Sequence, residues 1–501
     1  MNFEQFDEQT GAAIREICRM VAESGGQGIL VGGCVRDAIL GIAPKDADIE
    51  VYGLEPEQVE RLLSAKFKIV AVGRAFGVLK IHGVPIDVSL PRRESKSGLG
   101  HKGFLVNSDP MMEYREAAAR RDFTVNSMGF DPLKNEVIDP YGGRRDINAR
   151  LLRHTSAQFS EDPLRVLRAM QFAARFDFEV APETVALCRK IEPEGLPRER
   201  IFEEWSKLIL KGVRPSRGLA FLRDCGWIRY YPELEAMIGC RQDPDWHPEG
   251  DVWVHTLHCM DAFAAERVGD EWEDLVVGLA VLCHDLGKPS TTEDDDGRIR
   301  SKGHEQAGEA PTRSFLARMT DQSDLIEAVV PHVVNHLRPQ ELHECNASDS
   351  AIRRLARKVG RIDRLVRVSR ADQMGRPPKP FTGFPAGDWL LERAGALEVV
   401  DSAPPTLVMG RHLLEMGLTP GHRVGEVLSV CYEAQLEGKF TTLEKGLEFA
   451  RTLLKKAEAN GEYGVTEQTR IAYKNIAHRS ISGYIRVMER PSWKSNFLSV
   501  I

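Results

Sequence analysis

Strand signals in this chain end near residue 150, and that break constrains the fold more than any other feature of its 501 residues. Before it, short apolar runs are punctuated by turn residues. Ile29-Leu30-Val31 stops at Gly32-Gly33, Asp48 to Tyr52 reads as a second strand, and Val78–Ile81 and Ile86–Leu90 flank His82-Gly83-Val84-Pro85 as an antiparallel pair. Residues 1–25 and the start at Val35–Leu40 read as helix. After the break, apolar residues return at helical spacing: Leu164, Leu167, Phe172; Leu219, Leu222; Leu275, Leu279, Leu282; Leu413, Leu414. The predicted class is α+β, a head with a mixed or antiparallel sheet and helices over residues 1–150 followed by an all-α remainder. A chain of this length is expected to hold about three domains. Pro-rich breaks at 244–248, 377–385 and 404–405 are candidate boundaries.

Composition excludes several classes. With 42% hydrophobic and 28% charged residues the chain is neither disordered nor a small disulfide scaffold. Its longest apolar run, Leu275–Cys283, falls well short of the ~20 residues of a membrane span. The start, MNFEQFDEQT, has no apolar signal region. Nine scattered cysteines without a CxxC read as reduced thiols, so the expectation is a cytoplasmic protein without a membrane association. Net charge is −7, so a nucleic-acid contact would need locally concentrated positive charge. Arg353–Arg376 holds nine Arg or Lys against Asp363 and Asp372, and the stretch from Gly464 onward is basic as well. Each is read either as a solvated face or as a contact to RNA backbone.

The densest chemistry follows the glycine turn. Gly32-Gly33 between a strand and a helix lets backbone approach a phosphate closely. Asp46 and Asp48, two apart on entry to a strand, point to one face, and alternation in Ile86-Asp87-Val88 sets a third carboxylate against its apolar neighbours. Three converging carboxylates repel one another unless a cation sits between them. Mg²⁺, which takes oxygen ligands and is completed by water and phosphates, is the natural candidate.

GGCVRDAILG followed by DAD, then Arg120-Arg121-Asp122-Phe123-Thr124-Val125-Asn126, Ile138-Asp139-Pro140-Tyr141-Gly142-Gly143 and Glu161-Asp162-Pro163-Leu164-Arg165-Val166-Leu167-Arg168 together resemble the ordered signature of class II tRNA nucleotidyltransferases. These are the bacterial CCA-adding enzymes of the polymerase β-like superfamily and the related poly(A) polymerases. The likeness runs from about residue 25 to 450. It implies a polymerase β-like head, with neck, body and tail helices behind it. It further implies two-metal nucleotidyl transfer with Asp46 and Asp48 as metal ligands and Asp87 as general base on the RNA 3′-hydroxyl. Gly33, Arg36, Arg121, Asp122 and Asn126 are expected to contact the nucleotide.

The segment Glu161–Arg165 has an ordinary reading as well, since Asp before Pro makes a good helix start and places Asp162 and Arg165 on one face. The resemblance makes these two side chains a protein template, with Arg168 in support. Cytosine and adenine each show an amine donor beside a ring-nitrogen acceptor, whereas uracil and guanine show the reverse. A carboxylate that accepts and a guanidinium that donates therefore fit C and A, and such sites discriminate by about 10⁴. Arg92–Glu116, rich in Gly and Ser around His101 and Lys102, resembles the flexible loop that full CCA addition needs.

In the helical half, His255, the pair His284-Asp285 and Asp372 stand in the order H…HD…D, and LCHDLGKP with GHEQAG resembles an HD-domain phosphohydrolase. Imidazole with carboxylate suits a transition metal such as Ni²⁺ or Mn²⁺. His304, His332 and His336 are candidate further contacts, the last two spaced i,i+4 as on a helix. The implied activity is 2′,3′-cyclic phosphodiesterase and phosphatase. The expected division is a catalytic head (1–150), a nucleotide-selecting neck (151–243), an HD domain (244–380), a tRNA-binding tail (381–456) and a basic extension (457–501). Expected partners are tRNA, CTP and ATP, with the chain a monomer or a homodimer. The rivals are a CC-adding, A-adding or poly(A) polymerase, and an HD phosphohydrolase whose head merely binds nucleotide.

Overall fold

The computed structural model describes residues 6–72, 78–96 and 104–459. The fold is α+β, with the sheet confined to the head. The first helix, Glu8–Glu23, is capped by Asp7, whose carboxylate accepts from the Thr10 N–H, and it buries Ile14, Ile17, Cys18 and Val21 along one stripe. The strands in chain order are β1 (Gln27–Val31), β2 (Ala47–Tyr52), β3 (Ile69–Val72), β4 (Val78–Ile81), β5 (Ile86–Ser89), β6 (Arg92–Lys96), β7 (Phe104–Ser108), β8 (Gly129–Asp131) and β9 (Glu136–Ile138). Seven of them form one sheet in the order β3-β4-β5-β2-β1-β8-β9. β2 and β5 pair in parallel, while the other described neighbours in this sheet are antiparallel.

β6 and β7 pair with each other, Arg92 opposite Ser108 and Lys96 opposite Phe104. The expected loop over Arg92–Glu116 is therefore, in its described part, an antiparallel ribbon leading to a helix at Tyr114–Ala119. Arg-Arg-Glu-Ser-Lys has no apolar alternation and takes its strand form from pairing with Phe-Leu-Val-Asn-Ser, which single-strand patterning cannot reveal. His101, Lys102 and the extension from 460 onward lie outside the described residues.

Beyond the head, helices dominate, but strands do not vanish. Leu151–Leu152 pairs with Glu179–Val180, and Thr292–Asp295 pairs with Arg298–Ser301 across Asp296-Gly297. Both turn residues have positive φ, 58° and 81°, as a two-residue hairpin turn requires. The Asp-Gly pair was the legible signal for this hairpin.

The chain forms two compact units, residues 1–347 with 358–402, and 348–357 with 403–501. In the first, one continuous core joins Ile14, Leu30 and Ile49 of the head to Phe123, Leu164 and Leu167 and on to Val276, Leu279 and Ala371. The changes of pattern at 150 and 243 thus lie inside a single core. Helix Glu271–Cys283 is buried on every side from Asp274 to Cys283, which explains its unbroken apolar run. The second unit packs Val408, Leu413, Val427, Cys431, Phe440 and Leu454. Its division at 402/403 falls beside Pro404-Pro405. Helix Pro385–Ala396 belongs to the first unit.

Most side chains of the basic stretch Arg353–Arg376 pair with acids, chiefly from other elements, as a solvated, ion-paired face does. Arg354 and Arg357 pair with Glu433 and Glu437 within the second unit. In the first, Arg361 and Arg364 pair with Glu273, Arg367 with Asp274, Arg370 with Glu266 and Arg376 with Asp372. Among the described residues, no helix is long and apolar enough to cross a membrane, and the nine cysteines are all unpaired.

Candidate active sites

The head cleft is built on β2 and β5. On β2, Ala47, Ile49 and Val51 face the core, so Asp48 and Glu50 share the opposite face, with Asp46 just ahead of the strand. The parallel register sets Asp87 directly beside Asp48. Lys80 on β4 offers one cation, its Nζ 3.0 Å from Asp87 Oδ2. Partial desolvation on the cleft floor pushes the Asp48 carboxyl up to about 6; Asp46, Asp87 and Glu50 add repulsion and Arg121 offsets part of it, although the residue stays open to solvent. This clustered negative charge, with acceptors on one open face, fits a divalent cation. Arg121 lies over Gly32, where φ is +76° and a Cβ would stand 2.9 Å from its Nη1, so a side chain there is strained by conformation and would push the guanidinium aside. A pocket of about 300 Å³ is lined by Asp48, Glu50, Ser89, Arg92, Arg120, Arg121 and Arg165. It brings acids and guanidinium groups together as a triphosphate with its cations requires. Glu50 was missed in the sequence, although it continues the Asp46, Asp48 alternation.

Other expected nucleotide contacts also bond to one another in this structure. Gly33 opens the helix Gly33–Ile39 at the end of β1. Arg36 on that helix is buried, pairs with Asp37, donates to Asn126 Oδ1 and stacks on Phe172 and Phe176. Asn126 Nδ2 in turn donates to Asp122 Oδ1 at 2.9 Å, and Arg168 donates from Nε to Asp122 Oδ2 at 2.7 Å. Arg36, Asn126 and Asp122, with the partly exposed Arg168, thus form a hydrogen-bonded chain that ties the head to helix Leu164–Phe176. Asp162 caps that helix, its Oδ1 accepting from the Leu164 N–H at 3.0 Å, and its Oδ2 lies 3.3 Å from Arg200. Arg165 donates to the Gln158 and Arg120 carbonyls and also lines the cleft.

Burial alone would raise the Asp122 carboxyl, but Arg168, Asn126 and the Phe123 N–H outweigh it and hold it below its ordinary value of 3.8. A carboxyl depressed by folding stabilises the folded chain above its unfolded pKa. That contribution disappears as pH falls through the lower, folded value. Arg168→Ala strands a buried carboxylate and is expected to cost about 3 kcal/mol at neutral pH. It should also flatten the acid limb of the thermal melting curve below about pH 4. An unchanged melting temperature at neutral pH would refute this role.

The second cluster gathers residues from five segments. Helix Val252–Ala265, capped by Asp251, carries His255, and the buried helix Glu271–Cys283 ends at His284-Asp285. His304 opens a short helix after the Thr292–Ser301 hairpin, His336 lies in the turn after helix Ser323–Val333, and Asp372 lies near the end of helix Ile362–Met374. His255 Nε2 is 3.1 Å from Asp372 Oδ1 and 3.4 Å from His284 Nε2, and Asp285 Oδ2 is 3.3 Å from His284 Nε2. His304 and His336 join at Asp285 Oδ1, at 3.4 and 4.0 Å. His332 does not. It is fully buried with neither ring nitrogen hydrogen-bonded among the described residues, and burial takes it down to about 3. The helix stops before His336, so the i,i+4 pairing fails and the two imidazoles diverge.

Three further residues complete this cluster. Glu249 Oε1 lies 2.7 Å from His255 Nδ1, which bonds the Gly375 carbonyl at 3.1 Å, and bonds His247 Nδ1 at 2.8 Å, while Cys259, one turn beyond His255, brings its Sγ within 3.3 Å of His255 Nε2. The i,i+4 spacing of His255 and Cys259 was the signal available for the thiol. Burial opposes a charge on His255, yet Cys259, Asp372 and Glu249 hold it well above its ordinary range, so the centre attracts positive charge. Facing imidazole nitrogens with two buried carboxylates fit a divalent transition metal. The cluster opens into a pocket of about 200 Å³ whose lining includes Trp246, His247, Lys288 and Arg376.

Two stretches of the chain match known families, the poly A polymerase head domain at residues 29–153 and the probable RNA and SrmB-binding site of polymerase A at 177–238. A multifunctional CCA protein of Xanthomonas campestris pv. campestris is 37% identical over 414 residues, spanning 80% of this chain and 95% of that protein. One from Laribacter hongkongensis is 37% identical over 373 residues, 71% of this chain and 87% of that protein. The chain belongs to the class II CCA-adding enzyme family. Its fold is also that of the Bacillus stearothermophilus CCA-adding enzyme in complex with CTP, at a TM-score of 0.61 and 23% identity over 89% of this chain and 98% of the other. Within this CCA-adding family chain the head-domain match ends at residue 153, just before Asp162, while the HD cluster lies beyond both matched stretches.

Proposed function

We propose that this chain adds C, C and A to tRNA 3′ ends from CTP and ATP, and that its helical half carries a metal-dependent phosphohydrolase. The in-register Asp48 and Asp87, with Asp46 beside them at a pocket lined by Arg120, Arg121 and Arg165, support the first reading most directly. Asp46 and Asp48 would hold Mg²⁺. Ions held there supply a lowered pKa for the RNA 3′-hydroxyl and neutralise the departing pyrophosphate. Asp87 accepts the hydroxyl proton, and Arg121 and Arg120 bind phosphate oxygens. Arg165 and Asp162 read the incoming base. Arg165 spends two of its five N–H donors on carbonyls, so it retains donors for a base edge.

For the second reading, His255, His284, Asp285 and Asp372 would hold Ni²⁺ or Mn²⁺, which supplies a nucleophile from water near neutral pH. The Gly375 carbonyl, with Glu249 beside it, keeps the His255 Nε2 turned inward by accepting from Nδ1–H. Lys288 and Arg376 receive the phosphate of a 2′,3′-cyclic or terminal phosphoester. The division into head (1–150), neck (151–243), HD domain (244–380), tail (381–456) and extension (457–501) belongs to this proposal, as does action in the cytoplasm.

Three tRNA transcripts, lacking CCA, ending in CC and ending in CCA, incubated with Mg²⁺ and CTP, ATP or both, test the first activity at single-nucleotide resolution. Extension of the first by three residues, of the second by one and of the third by none is the expected result. A halt after CC, growth from the CC end alone or a long A ladder would each name a different polymerase. No extension at all would leave the phosphohydrolase as the principal function.

A further inference from the structure

The indole of Trp246 lines the HD pocket and is 66% exposed, whereas Trp205, Trp227 and Trp253 are fully buried. An exposed indole forgoes the burial through which this side chain usually stabilises a fold. The chain nevertheless holds its turn in place. The Trp246 and His247 N–H groups donate to the Asp243 carbonyl at 3.1 and 2.8 Å, and the Asp245 N–H donates to Asp243 Oδ1 at 2.9 Å. His247, next in sequence, bonds Glu249 at 2.8 Å. Lys379, beyond helix Ile362–Met374, donates to the Asp245 and Trp246 carbonyls and sets its Nζ 5.5 Å from the indole centroid. A ring fixed in this way by its turn and a cation loses little freedom when a ligand stacks on it.

The pocket changes character from floor to rim. Asp285, His304, His336 and Asp372 are buried at its floor, with Lys288 and Arg376 as cations for an anionic group. Arg376 gives Nη2 to Asp372 at 2.7 Å, but its buried Nε donates to nothing among the described residues. The more exposed lining is apolar, Trp246 with the half-buried Ile299 and Leu337. Inorganic phosphate or a small phosphoester would use the floor alone. A flat π-faced group joined to a phosphate would use both ends, and a nucleotide is such a molecule. Stacking on an aromatic side chain accepts any base, because every base has a π-face.

We propose that Trp246 is the base platform of the HD pocket, stacking on the nucleobase of a nucleotide or RNA 3′-terminal phosphoester whose phosphate meets Lys288 and Arg376. The inference rests on the phosphohydrolase reading of this site and adds a preference for base-bearing over base-free esters. Trp246 acts on binding, so its effect falls on KM more than on kcat.

The test compares hydrolysis of adenosine 2′,3′-cyclic phosphate with that of glycerol 1,2-cyclic phosphate, which has no base. Trp246→Ala is expected to lower the ratio of the two kcat/KM values about tenfold, through KM for the adenosine ester, and Trp246→Phe to keep most of it. An equal loss on both esters, or an unchanged ratio, would overturn the platform. A second readout needs no turnover. With the seven tryptophans replaced by 5-fluorotryptophan, the ¹⁹F line of Trp246 is the one missing from Trp246→Phe. It should shift on titration with adenosine 3′-phosphate and not with glycerol 2-phosphate. If the parent chain hydrolyses neither ester, the phosphohydrolase reading fails and this line alone decides. A shift with the adenosine ligand only keeps the platform; no shift, or an equal shift with both, removes it.

Discussion

Asp48→Asn is expected to lower nucleotide incorporation by about 10³-fold or more, because a bound divalent ion contributes several kcal/mol to the transition state and each 1.36 kcal/mol is tenfold. The substitution is nearly isosteric, so the loss is one of charge. Asp48 already lies beside Asp46, Asp87 and Glu50, and its carboxyl is pushed up to about 6, first by desolvation. Removing its charge relieves repulsion in the cleft, so the folded chain should be no less stable. Activity and stability therefore move apart. Primer extension on a tRNA lacking CCA measures the first, and thermal melting the second. Extension within tenfold of the parent chain would remove Asp48 from the reaction. Hydrolysis at the HD centre should be unchanged, since its cluster draws on residues from His247 to Arg376.

The reciprocal result is expected of His284→Ala: hydrolysis of a 2′,3′-cyclic nucleotide falls by about 10³-fold, while CCA addition continues. His284 is 1% exposed and contributes the nitrogen between His255 and Asp285. Its neighbourhood cannot rearrange easily to replace it. A Cβ on Gly287 would stand 2.0 Å from the His304 carbonyl oxygen and 2.5 Å from the Gly308 nitrogen, and one on Gly375 would stand 2.2 Å from Cys259 Sγ. The backbone segments bearing the ligands are thus in direct contact. A stability readout separates loss of metal from loss of fold. Metal at about a hundredfold excess over its dissociation constant adds about 2.7 kcal/mol to the parent chain. Chelation should lower the melting temperature of the parent by more than that of the variant, which keeps only the head's ion to lose. Equal responses to chelator in both would place the ion elsewhere.

Legibility differed between the two sites for a physical reason. Asp46 and Asp48 are neighbours in sequence on a strand of period two, so their common face follows from local geometry. Asp87 needed one further step, since its partnership with Asp48 depends on a parallel register between β2 and β5. The HD cluster draws its groups from separate helices, a hairpin end and a turn, and helical spacing misled at His332 and His336 because the helix ends between them. Charge density at Arg353–Arg376 was likewise legible without its partners. The run is real, but its partners, Glu266, Glu273, Asp274 and Glu433, lie 76 to 104 residues away in the chain.

By itself the sequence determined what local periodicity and motif order can determine: an α+β head ending near residue 150, a helical remainder, and the two sets of candidate metal-binding side chains. Tertiary structure decided which of those side chains are open to a ligand. Arg36, Asp122, Asn126 and Arg168 are hydrogen-bonded to one another, whereas Arg121 and Arg165 line the pocket. It also brought four imidazoles to one carboxylate. Periodicity reports the direction of a side chain from its own helix or strand. Whether that direction leads to solvent, a counter-ion or a shared ion depends on what other elements bring to the same point.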